Sequence, residues 1–296
     1  MYYYNYYYLF FFIFKFIISY PVVIFHGISD YCSSKSMKTI ERLTENNVGD
    51  YAKCIESSGK IKDWTTPILK QSEIACEEIN NDENFSKDFA ILSFSQGGLI
   101  ARYIIETCKM KGTVKKWVSI GGPLMGTSKI PHCVKGIVCF AANQIARWLA
   151  YFKWAQNNIG PAGYFRDNYD INRYYKKSNF LPELNNENNI YKDDDDHKKI
   201  NKTRFERFTK LDLLVLVMFK NDTMIYPKET AWFQEVNEKG KLIDLEDSEI
   251  YKNDTFGLRT LDKENKIKFY SLEGQHLYFT YSDLYVYAFP YLTTED

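Results

Sequence analysis

Short apolar runs that alternate with helix-like patterns constrain the fold of this 296-residue chain more than any other feature. Such runs, when turn residues bound them, are typical of buried strands, and strands that alternate with helices form a largely parallel sheet covered by helices. The sequence therefore predicts an α/β fold. The predicted strands are Pro21–Phe25, Tyr51–Ile55, Phe89–Phe94, Trp117–Ile120, Leu213–Phe219 and Ile267–Leu272. The predicted helices are Ser36–Thr44, Thr66–Ile79 and Leu99–Lys109.

The alternation stops between residues 125 and 208, and we expect an insertion there. Residues 21–124 and 209–296 are then the α/β core. In the stretch Val134–Trp154, apolar residues fall three or four positions apart, which indicates one apolar stripe on a helix. The stripe consists of Ile137, Ala141, Ile145, Leu149 and Phe152. A core-packing helix and a helical lid over a hydrophobic groove both fit this stripe. We favour the lid because the stripe lies outside the sheet.

Composition and charge exclude several classes of protein. Lys plus Arg and Asp plus Glu each number 38, so the chain lacks the basic excess of a nucleic-acid-binding protein, and we expect no nucleic-acid partner. Hydrophobic residues at 45% and charged residues at 26% exclude a disordered or fibrous chain. No Cys/His arrangement has zinc spacing, and the acidic run Asp193–Asp196 lacks the spaced ligands of a calcium loop. We therefore predict neither a metal nor a cofactor.

Residues 1–20 resemble a secretory signal peptide. Leu9–Ile18 is an apolar stretch, interrupted only by Lys15, that has the length of a signal's hydrophobic region and is short for a bilayer span. An uncleaved anchor is the alternative, but it leaves almost no linker before the strand that starts at Pro21. We predict cleavage near residue 20 and no stable membrane span.

The cysteines and several asparagines fit an oxidising compartment. Six cysteines permit three disulfides, with fifteen possible pairings that the spacing leaves open. Because the chain is rich in Asn, some of its Asn-x-Ser/Thr sequons arise by chance. The candidate glycosylation sites are Asn84, Asn201, Asn221 and Asn253. Together with the signal peptide, these features predict a lysosomal or secreted protein.

The segment Ser93–Gly98, which reads SFSQGG, is the strongest local signal. It follows the predicted strand Phe89–Phe94 and precedes a predicted helix, which is the context of a nucleophile elbow. An elbow strains the backbone at the nucleophile, and the residues two before and two after it must be small. Gly97 meets this demand and Ser93 meets it less well. The segment predicts Ser95 as a nucleophile.

A serine nucleophile needs a base, and the base needs a carboxylate that orients it. His276 follows the predicted strand Ile267–Leu272, and Asp222 comes soon after the predicted strand Leu213–Phe219. Each could by itself be an ordinary loop residue. Together with Ser95 they occur in the chain order of the α/β-hydrolase fold, all beyond the carboxyl ends of strands. We therefore predict Ser95, Asp222 and His276 as the catalytic residues.

An oxyanion hole requires backbone N–H groups aimed at the developing negative charge. The first expected donor is Gln96, the residue after the nucleophile. The second should lie in the loop after the first strand, where the His26-Gly27 turn allows close approach of the backbone. Ile28 is the expected donor in that loop. We expect His26 to have a structural role.

Five motifs occur in the order found in one enzyme family. They lie at Pro21–Asp30, Ser93–Gly98, Ser119–Gly126, Asn221–Phe233 and Glu273–Leu277. Over residues 21–292 the chain resembles the palmitoyl-protein thioesterases, in particular their lysosomal type-1 branch. It departs from the family pattern at Ser93, which replaces the first glycine of the elbow, at Gln275, which replaces an aspartate, and at Ser33, which replaces a cysteine. None of these departures removes a member of the catalytic triad.

The resemblance implies roles for particular residues. Ser95 corresponds to the nucleophile, Asp222 to the orienting acid and His276 to the base. Ile28 and Gln96 correspond to the donors of the oxyanion hole. The implied disulfides are Cys32–Cys54, Cys76–Cys108 and Cys133–Cys139.

The resemblance also implies a reaction. It is the hydrolysis of long-chain fatty acyl (palmitoyl) thioesters on cysteine residues of S-acylated proteins or peptides, without a cofactor. Residues 125–208 would then form a helical lid with the acyl groove. Two alternatives stay open: a lipase or phospholipase that acts on oxygen esters, and an inactive lipid-binding protein of the same fold.

Overall fold

The computed structural model describes residues 19–187 and 195–293. Residues 1–18 of the predicted signal peptide, and the first two residues of the acidic run Asp193–Asp196, lie outside the described residues. Within the described ranges, none of the helices combines the length and the hydrophobicity needed to cross a bilayer.

A six-stranded sheet forms the centre of the fold, and all its neighbouring strands are parallel. The strands of the described residues are β1 (Val22–Phe25), β2 (Ala52–Cys54), β3 (Phe89–Phe94), β4 (Val114–Ile120), β5 (Leu213–Phe219), β6 (Glu235–Val236), β7 (Leu242–Ile243) and β8 (Ile267–Leu272). The sheet order is β2-β1-β3-β4-β5-β8, and β6 and β7 form a separate antiparallel pair. All six predicted strands are present, and the predicted α/β-hydrolase fold class is confirmed.

Helices cover both faces of the sheet. The α-helices of the described residues are α1 (Lys35–Val48), α2 (Lys62–Thr65), α3 (Ile68–Asn81), α4 (Gly97–Glu106), α5 (Ile137–Leu149), α6 (Lys153–Asn158), α7 (Ile171–Lys177), α8 (Leu181–Leu184), α9 (Asp195–Phe208), α10 (Glu249–Lys252), α11 (Leu258–Lys263) and α12 (Tyr281–Tyr287). Short 3₁₀ helices lie at Glu83–Phe85, Gly160–Tyr164, Lys228–Trp232, Leu245–Asp247 and Phe289–Tyr291. The helices α3 and α4 pack on one face of the sheet, and α1 and α12 pack on the other.

The strands are buried on both sides, which explains why they read as continuous apolar runs. In β1, Val23 and Phe25 face the core under α3 and α4, whereas Val22 and Ile24 face the core under α1. This alternation follows from the two-residue period of a strand. Because neighbouring strands are parallel, the carboxyl ends of β1, β3, β5 and β8 lie at one edge of the sheet.

Two features of the sheet differ from the prediction. The strand β4 begins at Val114, three residues before the predicted start at Trp117. The prediction missed these residues because Lys115 and Lys116 interrupt the apolar run, although Lys116 is buried. The antiparallel pair of β6 and β7 was not predicted, since each strand has only two residues. Neither difference moves the edge of the sheet that carries the candidate site.

The chain between β4 and β5 contains the helices α5 to α9 and no strand among its described residues. The helix α5 covers most of the predicted stripe, but none of its residues is buried. A core helix buries its stripe, so the core-packing alternative is wrong. Leu149 lines a cavity, whereas Ile137 is 86% exposed. The division into a core at residues 21–124 and 209–296 and a lid at residues 125–208 stays a prediction.

All six cysteines are paired, and the pairing is the one that the resemblance implies. The bridges are Cys32–Cys54, Cys76–Cys108 and Cys133–Cys139. The first joins the loop after β1 to the end of β2, and the second joins α3 to the end of α4. A disulfide typically stabilises a fold by about 2–4 kcal/mol. The third closes a short loop at the start of α5.

Candidate active site

Ser95 lies in a sharp turn between β3 and α4. Its φ angle is 50°, in the left-handed region that non-glycine residues seldom adopt, as expected for a nucleophile elbow. Gly97 makes the turn possible, because a Cβ atom there would lie 2.7 Å from the His26 carbonyl oxygen and 2.8 Å from the Phe25 carbonyl oxygen. The elbow therefore packs directly against the backbone at the end of β1.

Ser93, the departure from the elbow's first glycine, is fully buried. Its hydroxyl accepts a hydrogen bond of 2.8 Å from the indole N–H of Trp117 and donates to the Val118 carbonyl at 3.4 Å. A buried hydroxyl costs little when both of its hydrogen-bonding capacities are used. The neighbouring strand β4 thus provides partners for Ser93, and the elbow keeps its geometry.

The structure brings Ser95, His276 and Asp222 into one hydrogen-bonded chain. The Nδ1 atom of His276 lies 2.5 Å from Oδ2 of Asp222, and its Nε2 atom lies 2.7 Å from Oγ of Ser95. Because a carboxylate only accepts hydrogen bonds, Nδ1 carries the proton and leaves Nε2 free to accept the hydroxyl of Ser95. The residues that the sequence analysis selected are thus within reach of one another.

Asp222 is held by backbone as well as by His276. Its Oδ1 atom accepts hydrogen bonds from the N–H groups of Met224 and Ile225, at 2.8 and 3.0 Å. These bonds orient the carboxylate from the loop after β5. Gln275, which replaces an aspartate of the family, accepts a hydrogen bond from the hydroxyl of Thr223 at 3.0 Å. An uncharged contact therefore joins the loops of Asp222 and His276.

Ile28 and Gln96 are the predicted donors of the oxyanion hole, and this role stays a prediction. Ile28 lines the same cavity as Ser95 and His276, and Gln96 opens α4. Within the described part of the chain, no hydrogen bond uses the N–H of either residue. Two unpaired donors beside a nucleophile are what an oxyanion requires.

Asp63 organises the loop that carries Ile28, and sequence reasoning missed it. The side chain is fully buried. Its Oδ2 atom accepts from the N–H of Ser29 at 3.0 Å, and its Oδ1 atom accepts from the hydroxyl of Ser58 and the N–H of Gly59. Ser29 also accepts from the indole of Trp64 at 2.7 Å. A polar residue in the short helix α2 has no periodic pattern, so no signal in the sequence pointed to it.

The side chain of Gln96 belongs to a buried network that sequence reasoning also missed. Its amide nitrogen donates to Gln71 and its amide oxygen accepts from the hydroxyl of Tyr164, both at 2.9 Å. Burial raises the pKa of Tyr164, which keeps the phenol a neutral donor. The network connects the elbow to α3 and to the segment between β4 and β5.

His26 is structural, as expected. It is nearly buried, and its two ring nitrogens contact the Gly27 carbonyl at 2.9 Å and Oε1 of Glu56 at 2.8 Å. Burial lowers the pKa of His26, but the hydrogen bonds to Glu56 and Gly27 raise it more, so the net pKa lies above its ordinary value. His26, Cys32 and Glu56 are grouped closely enough to suggest a metal site. The sulfur of Cys32 is bonded to Cys54, however, and is not available as a thiolate ligand.

An apolar cavity of about 260 Å³ extends from Ser95 and His276. Its walls come from the segment between β4 and β5, from the loop after Asp222, and from Ile28 and Trp64. The lining also includes Ala146, Leu149, Ala150, Ala155, Tyr164 and Ile225. A hydroxyl and an imidazole at the end of an apolar cavity suit a substrate with a reactive carbonyl and a long hydrocarbon chain.

The predicted glycosylation sites differ in exposure. Asn84, Asn221 and Asn253 are exposed, whereas Asn201, in α9, is partly covered. Asn221 directly precedes Asp222 at the edge of the site. Occupancy of all four sequons stays a prediction.

Comparison with known sequences identifies relatives of the chain. Residues 21–276 match the family model described as palmitoyl protein thioesterase. Palmitoyl-protein thioesterase 1 of Caenorhabditis elegans is 29% identical over 267 residues, which cover 87% of this chain and 86% of the relative. Lysosomal thioesterase PPT2-B of Xenopus laevis is 30% identical over 275 residues, which again cover 87% and 86%.

A third relative is a larger protein. The palmitoyl-protein thioesterase-dolichyl pyrophosphate phosphatase fusion 1 of Schizosaccharomyces pombe is 30% identical over 291 residues, which cover 93% of this chain and 44% of the fusion protein. The resemblance inferred from the motifs is thereby confirmed at the level of the family. Because the matched region runs from the start of the sheet to His276, this chain belongs to the palmitoyl protein thioesterase family and is a hydrolase.

Proposed function

We propose that this protein is a serine hydrolase that removes long-chain fatty acyl groups, palmitoyl in particular, from cysteine residues of S-acylated proteins or peptides. Ser95 is the nucleophile, His276 the base and Asp222 the orienting acid. The observation that carries the proposal is the hydrogen-bonded chain from Ser95 through His276 to Asp222 at the end of an apolar cavity. Membership of the thioesterase family supports the choice of a thioester over other substrates.

The first half of the reaction forms an acyl-enzyme. The oxygen of Ser95 attacks the thioester carbonyl carbon while Nε2 of His276 takes the hydroxyl proton. The N–H groups of Ile28 and Gln96 stabilise the oxyanion. The C–S bond then breaks, and the cysteine sulfur leaves with a proton from His276. A cysteine thiol has a pKa of about 8.5, so this leaving group needs less protonation than an alcohol does.

The second half of the reaction releases the fatty acid. Nε2 of His276 takes a proton from water, whose oxygen attacks the acyl-serine carbonyl. The same two N–H groups stabilise the second oxyanion. The ester bond breaks, Ser95 recovers its proton from His276, and the free enzyme returns. Every step uses side chains and backbone N–H groups of this chain, together with water.

The cavity explains how the substrate is selected. Transfer of a palmitoyl chain from water to an apolar site contributes up to about 12 kcal/mol, at ~0.8 kcal/mol per methylene. The cysteine-bearing partner then needs few specific contacts, so we expect little sequence selectivity among acylated cysteines. The lysosome or the extracellular space is the proposed compartment, supported by the three disulfides and by the name of the Xenopus relative.

Replacement of the nucleophile tests the proposal. We expect Ser95→Ala to lower kcat for a palmitoyl-thioester reporter by about 10⁶-fold, as removal of a catalytic serine does elsewhere. Ser282→Ala, at an exposed position in α12, is the matched control and should retain full activity. Turnover by Ser95→Ala at the rate of the control contradicts the assignment. A wild-type preference for the palmitoyl oxygen ester over the thioester supports the lipase alternative.

A further inference from the structure

The outer side of α5 and α6 exposes an unusual number of large apolar side chains. We call this surface the lid face; it consists of Ile137, Val138, Phe140, Ile145, Trp148, Phe152 and Trp154. Between 43% and 86% of each of these residues is exposed. Scattered apolar residues are normal on a protein surface, but a contiguous patch marks a site of interaction with a protein or a membrane.

The lid face is continuous with the acyl cavity. Ala146, Leu149 and Ala150 line the cavity from α5 and its end, while Ile145 and Trp148 project from the same turns into solvent. Leu149 lies between the two surfaces, since it lines the cavity and is also 44% exposed. The helix α5 therefore separates the lid face from the cavity, and a hydrocarbon chain at the lid face is one helix away from the cavity.

The segment of the chain that carries the lid face has no acidic residues. Residues 107–166 contain no Asp and no Glu, although the chain has 38 acidic residues. Lys135 and Lys153 are exposed at either end of the lid face. Arg147 is ion-paired with Asp167, so the two lysines supply the charge that a partner meets. A basic rim around an apolar patch complements an anionic lipid surface.

The aromatic residues suit the interface of a bilayer. Trp148 and Phe152 make an edge-to-face contact with ring centroids 4.6 Å apart, and Trp154 lies in the first turn of α6, two residues after Phe152. Tryptophan combines an apolar ring with an N–H donor, and it is enriched where membranes meet water. A protein partner would not require this combination of exposed indoles, aliphatic side chains and exposed lysines.

We propose that the lid face binds the surface of an anionic lipid membrane and so places the mouth of the acyl cavity against the bilayer. Binding needs only the surface described here. The advantage for catalysis, in which the acyl chain passes from the bilayer into the cavity without crossing water, rests on the proposed function. The occupant is a lipid surface, not a second copy of the chain.

Partition of the full chain onto lipid vesicles tests the proposal with a matched pair of variants. Val138→Ser removes an aliphatic side chain from the lid face, where Val138 is 78% exposed, and Val286→Ser does the same on α12, where Val286 is 56% exposed. For vesicles of phosphatidylcholine with phosphatidylglycerol, we expect Val138→Ser to lower the partition coefficient by about tenfold. The control should leave it unchanged.

Reversal of charge tests the basic rim. We expect Lys135→Glu with Lys153→Glu to lower partition onto phosphatidylglycerol-containing vesicles by about twentyfold, and to have little effect on vesicles of phosphatidylcholine alone. The control, Lys239→Glu with Lys263→Glu, changes the net charge equally at exposed positions elsewhere. Equal losses in both pairs would show that net charge alone governs binding and would overturn the assignment to the lid face.

Fluorescence separates the lid face from the apolar amino-terminal segment. Brominated phospholipids quench indoles that enter the bilayer, so we expect quenching that disappears in Trp148→Phe with Trp154→Phe. Binding without quenching, or equal binding by Val138→Ser and Val286→Ser, contradicts the proposal. A lid-face variant that abolishes self-association in lipid-free solution but leaves vesicle binding intact also contradicts the proposal, because the occupant would then be a second copy of the chain. These variants are at exposed sites, and unchanged circular dichroism verifies folding.

The binding result is independent of the proposed reaction. Ser95→Ala should bind vesicles as the wild type does, and Val138→Ser should hydrolyse a soluble short-chain thioester at the wild-type rate. If the wild type does not hydrolyse a thioester, the proposed function fails. The vesicle experiment then still tests whether the lid face binds membranes. If the protein hydrolyses the thioester but does not bind vesicles, only the proposed membrane binding by the lid face fails.

Discussion

The edge of the sheet that carries the candidate site differs from the lid face in burial and in hydrogen bonding. At the edge, the side chains of Ser95, Asp222 and His276 are each less than a tenth exposed, and hydrogen bonds fix all three. In α5, no residue is buried and large apolar side chains face solvent. The edge can hold reacting atoms within fractions of an ångström, as catalysis demands. The proposed lid presents apolar side chains, which suit hydrocarbon chains because these offer no hydrogen bonds.

This difference implies that substitutions at the edge change the rate of the chemical step, whereas substitutions in the lid change substrate binding. After replacement of the nucleophile Ser95, the largest expected effect is at Asp222. Asp222→Asn keeps the shape of the side chain but allows His276 to adopt the wrong tautomer, so we expect kcat to fall by about 10⁴-fold. Steady-state kinetics with a palmitoyl-thioester reporter measures this. Asp244→Asn, at an exposed position, is the control, and a similar loss in both variants would contradict the assignment.

A smaller effect is expected at Asp63, which touches no reacting atom and positions the Ile28 loop. Asp63→Asn places an amide N–H₂ group against backbone and hydroxyl donors, which shifts the loop. We expect kcat to fall by about 10²-fold, the lower range for loss of one oxyanion donor, with KM nearly unchanged. A change in thermal stability with normal kcat would instead mean that Asp63 only supports the fold.

The lid should respond differently. Leu149→Ala removes apolar contact from the cavity wall, and we expect KM for a palmitoyl thioester to rise by about tenfold with kcat little changed. A short-chain thioester that does not reach Leu149 should show no difference. The same loss of kcat with both substrates would break the distinction between edge and lid.

The smallest effect concerns the pair of His26 and Glu56 behind the oxyanion loop. Burial raises the pKa of Glu56, but the hydrogen bonds from His26 and the Cys32 N–H lower it more, so its net pKa lies below 4.5. The pKa of His26 lies above 6.5. The stabilisation that the pair of His26 and Glu56 gives to the fold is therefore fully present between pH 4.5 and pH 6.5. It is lost as the pH rises through the raised pKa of His26 or falls through the lowered pKa of Glu56.

Glu56→Gln tests this pair. We expect the variant to lower the free energy of unfolding by about 1 kcal/mol between pH 5 and 6, because solvent screens the partly exposed Glu56. The difference from wild type should shrink towards pH 8. Urea unfolding across pH measures it, with Glu238→Gln at an exposed position as the control. A difference that grows with pH would contradict the sign.

The edge could be predicted well from the sequence, for a physical reason. Strands buried on both sides appear as continuous apolar runs, and a nucleophile elbow demands small residues at fixed offsets from Ser95. Asp222 and His276 were found because they follow such runs. Asp63, Gln71 and Tyr164 were not found. They act through contacts between segments that are distant in the chain, and no local pattern records these.

In the predicted lid, the sequence indicated the helix but not its surroundings. A stripe such as that from Ile137 to Phe152 indicates a helix but carries no information about what covers it. The structure shows that Leu149 faces a cavity and Ile137 faces solvent, although both belong to the same stripe. Ser93 gives a related lesson, since its acceptability in the elbow depends on Trp117 of the neighbouring strand.

The central claim is that Ser95 carries the acyl group between the two halves of the reaction. The most direct measurement is mass spectrometry of the protein after rapid acid quenching of its reaction with a palmitoyl thioester. We predict a palmitoyl adduct on the peptide that contains Ser95, and its absence in Ser95→Ala. Turnover of the thioester with no adduct on any peptide, or with the adduct on another residue, would contradict the account.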